Sequence, residues 1–299
     1  MGEPGALRRF LLESQPLRGH WTHLGAAWQE LRARRNYPPV VDALLGEAAT
    51  AAVLLTATLK FAGTLTLQLA GNGRVRLLVA QCTDDFQLRA VAHHDLATGE
   101  VADFAALAGT GRLAVTVQPD ASTAQYQGIV PLEGNDLGQC LERYFESSEQ
   151  LPTRLLLAAD TTRAGGMLVQ KLPGGASGEG AGALLQSAWE DLQQGLRSLS
   201  PEILLGVGAE EAVQRVCGAH DCRLFAVTPV RFGCRCSSAR VAELVRSLGI
   251  EEARAALAEQ GALTVTCEFC GREYRYDSVD VEQLFAADGS AQPGPAQYN

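Results

Sequence analysis

The sequence predicts an α+β protein built in successive parts, and three observations predict it. Residues 64–91 alternate apolar and polar side chains between turn signals, the pattern of an antiparallel meander. A glycine-rich break at 174–182 separates this region from a run of amphipathic helical spacing. Four of the eight cysteines then fall in two tight pairs near the C-terminus, the mark of a small unit held by metal or redox chemistry.

Length and composition bound the answer. A chain of 299 residues, 46% apolar, has ample material for a core and suggests more than one domain. The net charge of −9 opposes a phosphate backbone, which argues against general nucleic-acid binding. Residues 1–9 already carry Glu3, Arg8 and Arg9, so no signal-peptide core is expected there. The most apolar stretch, 40–61, contains Asp42, Glu47 and Lys60 and reads as a buried helix rather than a membrane span. A cytoplasmic protein is therefore expected, and clustered thiols in that reducing compartment point to metal or redox roles.

Each element follows in order. Residues 40–59 form a long Ala-rich helix by spacing. Strands are expected at 64–69, 75–80 and 86–91, with turns at Gly71-Asn72-Gly73 and Asp84-Asp85. Further strands are expected at 111–118 and 126–131, a helix at 137–145, and closing strands at 155–158 and 167–172. In 184–199, Leu185, Ala188, Trp189, Leu192, Leu196 and Leu199 share one face of a helix and polar residues cover the other. Ser200-Pro201 reads as an N-cap with proline at the first helical position. A short helix covers 209–217. Such a segment is too polar to form its own core, so it must dock on something and is a candidate conditional element. Beyond Gly233, helices at 241–248 and 251–259, strands at 263–266 and 274–276 and a helix at 279–285 are expected. The Gly-, Pro- and Gln-rich tail after Asp288 is expected to be disordered.

The divisions that follow are 1–174 for the first domain, 175–232 for a helical linker, 233–287 for the cysteine-bearing domain and 288–299 for the tail.

The chemistry concentrates at Cys234, Cys236, Cys267 and Cys270: Cys-x-Cys, thirty residues, then Cys-x-x-Cys. Four thiolates suit tetrahedral zinc, one ion per chain. Cys267 to Cys270 followed by Gly271 is a knuckle whose tight turn aims backbone amides at the sulfurs. Cys234 and Cys236 present both sulfurs on one side if their backbone is extended. A unit of about sixty residues buries little apolar area and needs such a staple. The spacing alone also allows a purely structural zinc ribbon. A thioredoxin-like pair at Cys267 and Cys270 fits less well, because that motif opens a helix in a βαβ unit and needs no second pair.

At this point a resemblance enters. The zinc motif matches the redox-regulated heat-shock chaperone family of 33 kilodaltons in order and spacing. So do Leu54-Leu55-Thr56-Ala57-Thr58-Leu59-Lys60-Phe61, Tyr126-Gln127-Gly128-Ile129-Val130, Ser148-Glu149-Gln150-Leu151-Pro152-Thr153-Arg154 and Ala164-Gly165-Gly166-Met167-Leu168. The resemblance implies a first domain of stacked, largely antiparallel sheets with helices, a metastable linker folded over it, and a zinc domain that clamps the linker. It implies that oxidation expels zinc and pairs Cys234 with Cys236 and Cys267 with Cys270. The linker and zinc domain then unfold. The active form, commonly a homodimer, holds unfolding or oxidatively damaged client proteins without ATP and without enzymatic turnover. The linker stripe of Leu185, Trp189, Leu192 and Leu196 is the candidate client surface.

Cys217 and Cys222 depart from the family pattern. With His220 they form Cys-x-x-His-x-Cys, readable as incidental small hydrophobes, as an auxiliary redox pair or as a site competing for zinc. Cys82 and Cys140 read as core residues, and His20, His23, His93 and His94 as surface or core histidines. No Walker lysine motif, nucleophile elbow or complete dinucleotide fingerprint is present. Two other classes compete. A zinc-ribbon nucleic-acid binder needs a basic face, yet residues 233–299 carry six arginines against ten acidic side chains, a net of −4. A thiol oxidoreductase would show turnover with a reductant, and zinc would suppress it. No membrane partner is expected.

Overall fold

The computed structural model describes residues 4–97, 102–120, 125–174 and 180–286. The expected disordered tail therefore lies outside the described residues, as do five positions of the glycine-rich break. The chain divides into two compact units, Met1–Gly233 and Cys234–Asn299.

The first unit runs β1 (Gly5–Leu12), β2 (Leu17–His23), α1 (Ala26–Arg32), α2 (Pro39–Thr58), β3 (Gly63–Gly71), β4 (Val75–Thr83), β5 (Gln87–His94), α3 (Phe104–Ala108), β6 (Gly111–Pro119), β7 (Tyr126–Pro131) and α4 (Leu137–Tyr144). It continues with β8 (Thr153–Ala159), β9 (Ala164–Lys171), α5 (Ala181–Ser198), α6 (Pro201–Gly206), α7 (Ala209–Cys217), β10 (Cys222–Leu224) and β11 (Thr228–Phe232). The predicted elements from 40 to 217 are all present within a few residues. Phe86, read as the start of a strand, instead sits at φ 59° in the turn before β5. The strands β1, β2, β10 and β11 and the helix α1 were not anticipated.

Two antiparallel groups make the sheet. One runs β7-β6-β3-β4-β5 and the other β1-β2-β9-β8, with β11 joining them into one curled, eleven-stranded path that includes β10 beside β1. The join is specific: Gly5 to Leu7 of β1 pair antiparallel with β11, while Arg231 and Phe232 of β11 pair parallel with Gln87 and Leu88 of β5. A segment more than 130 residues downstream of β5 thus completes the sheet.

Helix α2 packs against β4 and β5 of one group and β8 and β9 of the other. Its small residues permit that position. A Cβ at Gly46 would stand 2.5 Å from the Cβ of Ala159. Val41, Leu45, Ala49, Val53 and Leu54 are fully buried. The one buried charge on this helix, Asp42, accepts hydrogen bonds from Arg32 Nε (2.9 Å) and Nη2 (2.7 Å), which offsets its desolvation. By length and composition α2 is apolar enough to cross a membrane, but 78% of that window is buried inside the protein. A core helix is the physical account of that composition.

The β1-β2-β9-β8 group is covered on both faces. Leu7, Leu155, Ala164 and Leu168 turn towards α2. Phe10, Leu12, Leu17, Trp21, Ala158, Met167 and Val169 turn the other way, onto α5, α6 and α7. That explains why β1 and β2 lack a clean period-two signal: both faces carry apolar side chains, as in any doubly covered strand. Gly19 of β2 is required there, since a Cβ would lie 2.1 Å from the Phe10 ring.

The second unit contains α8 (Ser238–Leu248), α9 (Ile250–Gln260), β12 (Leu263–Thr266), β13 (Glu273–Tyr276) and α10 (Ser278–Ala286). Strands β12 and β13 form a separate hairpin. Among the described residues its connected core is Val245, Ala253, Leu263 and Val281, with Val241, Ala262 and Cys270 also buried and partly buried residues such as Leu257 and Phe285 packed against it.

Candidate metal centre

The two cysteine pairs reach one point from different local structures. Cys234 and Cys236 lie on the extended segment leading to α8, whose N-cap Ser237 accepts a hydrogen bond from the Arg240 amide. Cys267 and Cys270 flank the tight turn between β12 and β13. There the Cys267 amide donates to the Arg272 carbonyl (2.9 Å) and the Gly271 amide to the Cys267 carbonyl (2.8 Å). Gly271 at φ 67° supplies the left-handed conformation that closes the knuckle.

All four sulfurs lie within 4.8 Å of one another. Cys234 Sγ is 3.6 Å from Cys267 Sγ, and Cys236 Sγ is 3.4 Å from Cys270 Sγ, so contacts run between the two pairs. Zn–S bonds of about 2.3 Å in a tetrahedron place sulfurs about 3.8 Å apart. The donor set and its spacing therefore fit a four-sulfur metal centre. Burial pushes the Cys270 thiol up to about 12. A cation reverses that tendency, because a coordinated thiol is deprotonated outright.

Two neighbours escaped the sequence reading. Arg272 and Tyr274 follow the knuckle two residues apart, the second of them on β13. The Tyr274 phenol is held above its ordinary value chiefly through Cys236. The Arg272 guanidinium is held in its charged form by Tyr274 first, and also by Cys236 and Cys270. A basic and an aromatic residue at period two after the Cys-x-x-Cys were the available signal.

The other predicted site residues fall as follows. Trp189, Leu192 and Leu196 are buried in the second core of the first unit, and Leu185 packs on its edge. Ser200 caps α6, accepting from the Ile203 amide at 3.3 Å. Gly195 brings α5 against α7: a Cβ there would lie 2.4 Å from the Val216 carbonyl oxygen. Cys217 and Cys222 are joined as a disulfide. Cys82 and Cys140 are buried, and burial raises their thiols to about 12 and about 11, so both are inert core residues.

Comparison with known proteins places this arrangement. The family model described as Hsp33 protein matches residues 5–277. A 33 kDa chaperonin of Chromobacterium violaceum is 39% identical over 299 residues, covering 100% of this chain and 99% of its own. One from Nitrosococcus oceani is 41% identical over 281 residues, covering 93% of each. The fold matches the crystal structure of a 33 kDa chaperonin from Thermotoga maritima with a TM-score of 0.81, at 22% identity, over 95% of this chain and 99% of that one. With a cysteine cluster suited to metal or redox regulation, the chain belongs to the Hsp33 family of chaperones.

Proposed function

We propose that this protein is a redox-regulated, ATP-independent holdase whose switch is a zinc ion held by Cys234, Cys236, Cys267 and Cys270. The observation that carries the reading is the four-sulfur cluster set in a unit whose connected apolar core, among the described residues, is four side chains. Zinc bound there keeps the sulfurs as thiolates and cross-links segments that little else holds. Thiolates are the species that oxidants attack.

Oxidation to disulfides Cys234–Cys236 and Cys267–Cys270 removes the donor set. Each disulfide closes a very short loop and constrains little of the unfolded chain, so neither replaces the ion as a staple. The C-terminal unit then loses its fold. The domain reading of body 1–174, linker 175–232 and switch 233–287 belongs to this proposal. Loss of the switch releases the linker, and Leu185, Trp189, Leu192 and Leu196 leave their sites beside α7, β8 and β9. The stripe and the sheet face beneath it then offer apolar surface to unfolding or oxidatively damaged clients. In this reading the active form is a homodimer in the cytoplasm. It has no enzymatic turnover, and its work involves neither nucleic acid nor membrane.

The test follows zinc content and suppression of aggregation together, using a thermally unfolding enzyme without ATP. Before oxidation we expect one zinc per chain and little suppression. Hydrogen peroxide at mild heat should release the zinc as suppression appears. A Cys234→Ser, Cys267→Ser variant should be zinc-free and active without oxidant. If zinc stays bound, or leaves with no suppression, the tetrad is only a structural staple.

A further inference from the structure

A second pair of sulfurs lies in the first unit. Cys217 is the last residue of α7 and Cys222 the first of β10. Their Cα atoms are 6.6 Å apart, a separation a disulfide spans without backbone movement. The intervening turn is set by Gly218, at φ 58°, and by the His220 amide donating to the Cys217 carbonyl at 3.0 Å.

What the pair connects gives it meaning. Cys217 is 3% exposed in the core formed by α5, α6 and α7 against the sheet. Cys222 is partly exposed and pairs with Leu12 of β1. The turn between them also holds α5, through His220 Nε2 and Asp191 Oδ2 at 3.0 Å, and β1, through the Glu13 amide donating to the Asp221 carbonyl at 3.0 Å. The bond therefore joins the end of α7 to the first residue of β10, and β10 in turn is hydrogen-bonded to β1 of the body sheet.

We propose that Cys217 and Cys222 are a second, metal-independent redox pair whose oxidation ties the end of α7 to β10, the strand that pairs with β1 of the body. The chemistry is thiol–disulfide exchange with a low-molecular-weight disulfide. The Cys222 thiolate, on the more exposed side, attacks that disulfide and expels one small thiolate. Deprotonated Cys217 then attacks the mixed disulfide at Cys222, forms the intramolecular bond and expels the second small thiolate. Two electrons leave the pair and reduce one external disulfide to two thiols. Oxidation here restrains α7, the opposite sense to oxidation at the four-sulfur cluster. Any consequence for chaperone activation rests on the holdase reading, but the clasp itself does not.

The experiment equilibrates metal-loaded protein in glutathione buffers from reducing to oxidising. Peptide mass spectrometry reads the Cys217–Cys222 bond, metal content is followed, and amide exchange is measured over 209–224. We expect the bond to form with the metal retained and to slow exchange in that segment at least five-fold. Cys222→Ser, which leaves buried Cys217 in place, should abolish the change. A bond that forms only after metal loss, or one that leaves exchange unaltered, overturns the proposal. Aggregation suppression is not a readout, so failure of the holdase reading would leave this result standing.

Discussion

Helix α2 of the first unit buries fourteen residues, whereas the connected apolar core of the C-terminal unit holds four buried side chains among its described residues. The two regions solve the same problem by different means. The first has enough apolar surface to offset the conformational entropy of ordering its chain. The second has three helices, with Leu244 and Leu248 of α8 about half exposed, and a hairpin of four-residue strands. The sulfur cluster adds a cross-link to the polar ties between its helices, such as Arg254 to Glu282. A unit built this way can be dismantled by chemistry that leaves the other intact, which is what a switch requires.

The largest effect expected from this contrast is on metal removal. Chelation under reducing conditions should strip protection from backbone amides of 238–286 by at least about 100-fold, given the roughly 10–16 kcal/mol that structural zinc contributes in small domains. Amides of β3, β4 and α2 should keep theirs. A metal-free C-terminal unit that stays protected would show that its small core suffices.

Next comes the reverse experiment on the body. Leu54 is fully buried in α2, and Leu54→Ala should cost about 2–5 kcal/mol of body stability in urea unfolding. Metal content should not change. A loss below about 1 kcal/mol would mean that α2 relaxes around the cavity and is less of a keystone than its burial implies.

Acid separates the units by another route. His20 in β2 is buried, and that burial, with Arg18 and Arg9 nearby, lowers its imidazole to about 3. The unfolded chain, at about 6.5, then binds a proton that the folded body refuses. The contribution is present above pH 6.5 and is lost as pH falls towards 3, with a slope of up to about 1.4 kcal/mol per pH unit. His20→Leu should flatten that slope in acid-dependent urea titrations. The sequence beyond residue 233 holds no histidine, so acid should act on the C-terminal unit through protonation of the thiolates and loss of metal. An unchanged slope in His20→Leu would move the acid sensitivity of the body to other groups.

The smallest effect sits on the linker. Ser200→Ala removes the side-chain cap of α6 and should cost about 1 kcal/mol. Amide exchange should accelerate locally in α6 and α7, with β3 and β4 unaffected. Equal acceleration in the sheet would mean that linker and body unfold as one cooperative unit.

How much of this was legible depends on how each residue's signal is carried. Strands β3 to β7 were readable because their apolar side chains alternate along a half-covered sheet. The linker stripe was readable because Trp189, Leu192 and Leu196 recur at helical spacing, and Ser200-Pro201 because capping is a local matter. The cysteine pairs were readable because ligand spacing is itself a sequence property. Strands β1 and β2 were not, since Arg8, Arg9 and His20 interrupt an apolar pattern that serves two cores at once. The role of Arg272 and Tyr274 beside the sulfurs needed the turn geometry that aims them.

By itself, then, the sequence determined the class of chemistry and the kind of fold: four thiol ligands in two close pairs, a meander with a buried helix, and an amphipathic segment that has to dock. These rest on short-range rules of periodicity, capping and ligand spacing. Only the tertiary structure decided that β11 closes the curled sheet between β1 and β5, and that β9 is buried on both faces. Only it decided that Cys217 meets Cys222 where the linker joins the body. The physical reason is that pairing between distant strands, and the burial of a face by a distant helix, depend on the energy of the whole assembled core. No local pattern records that energy.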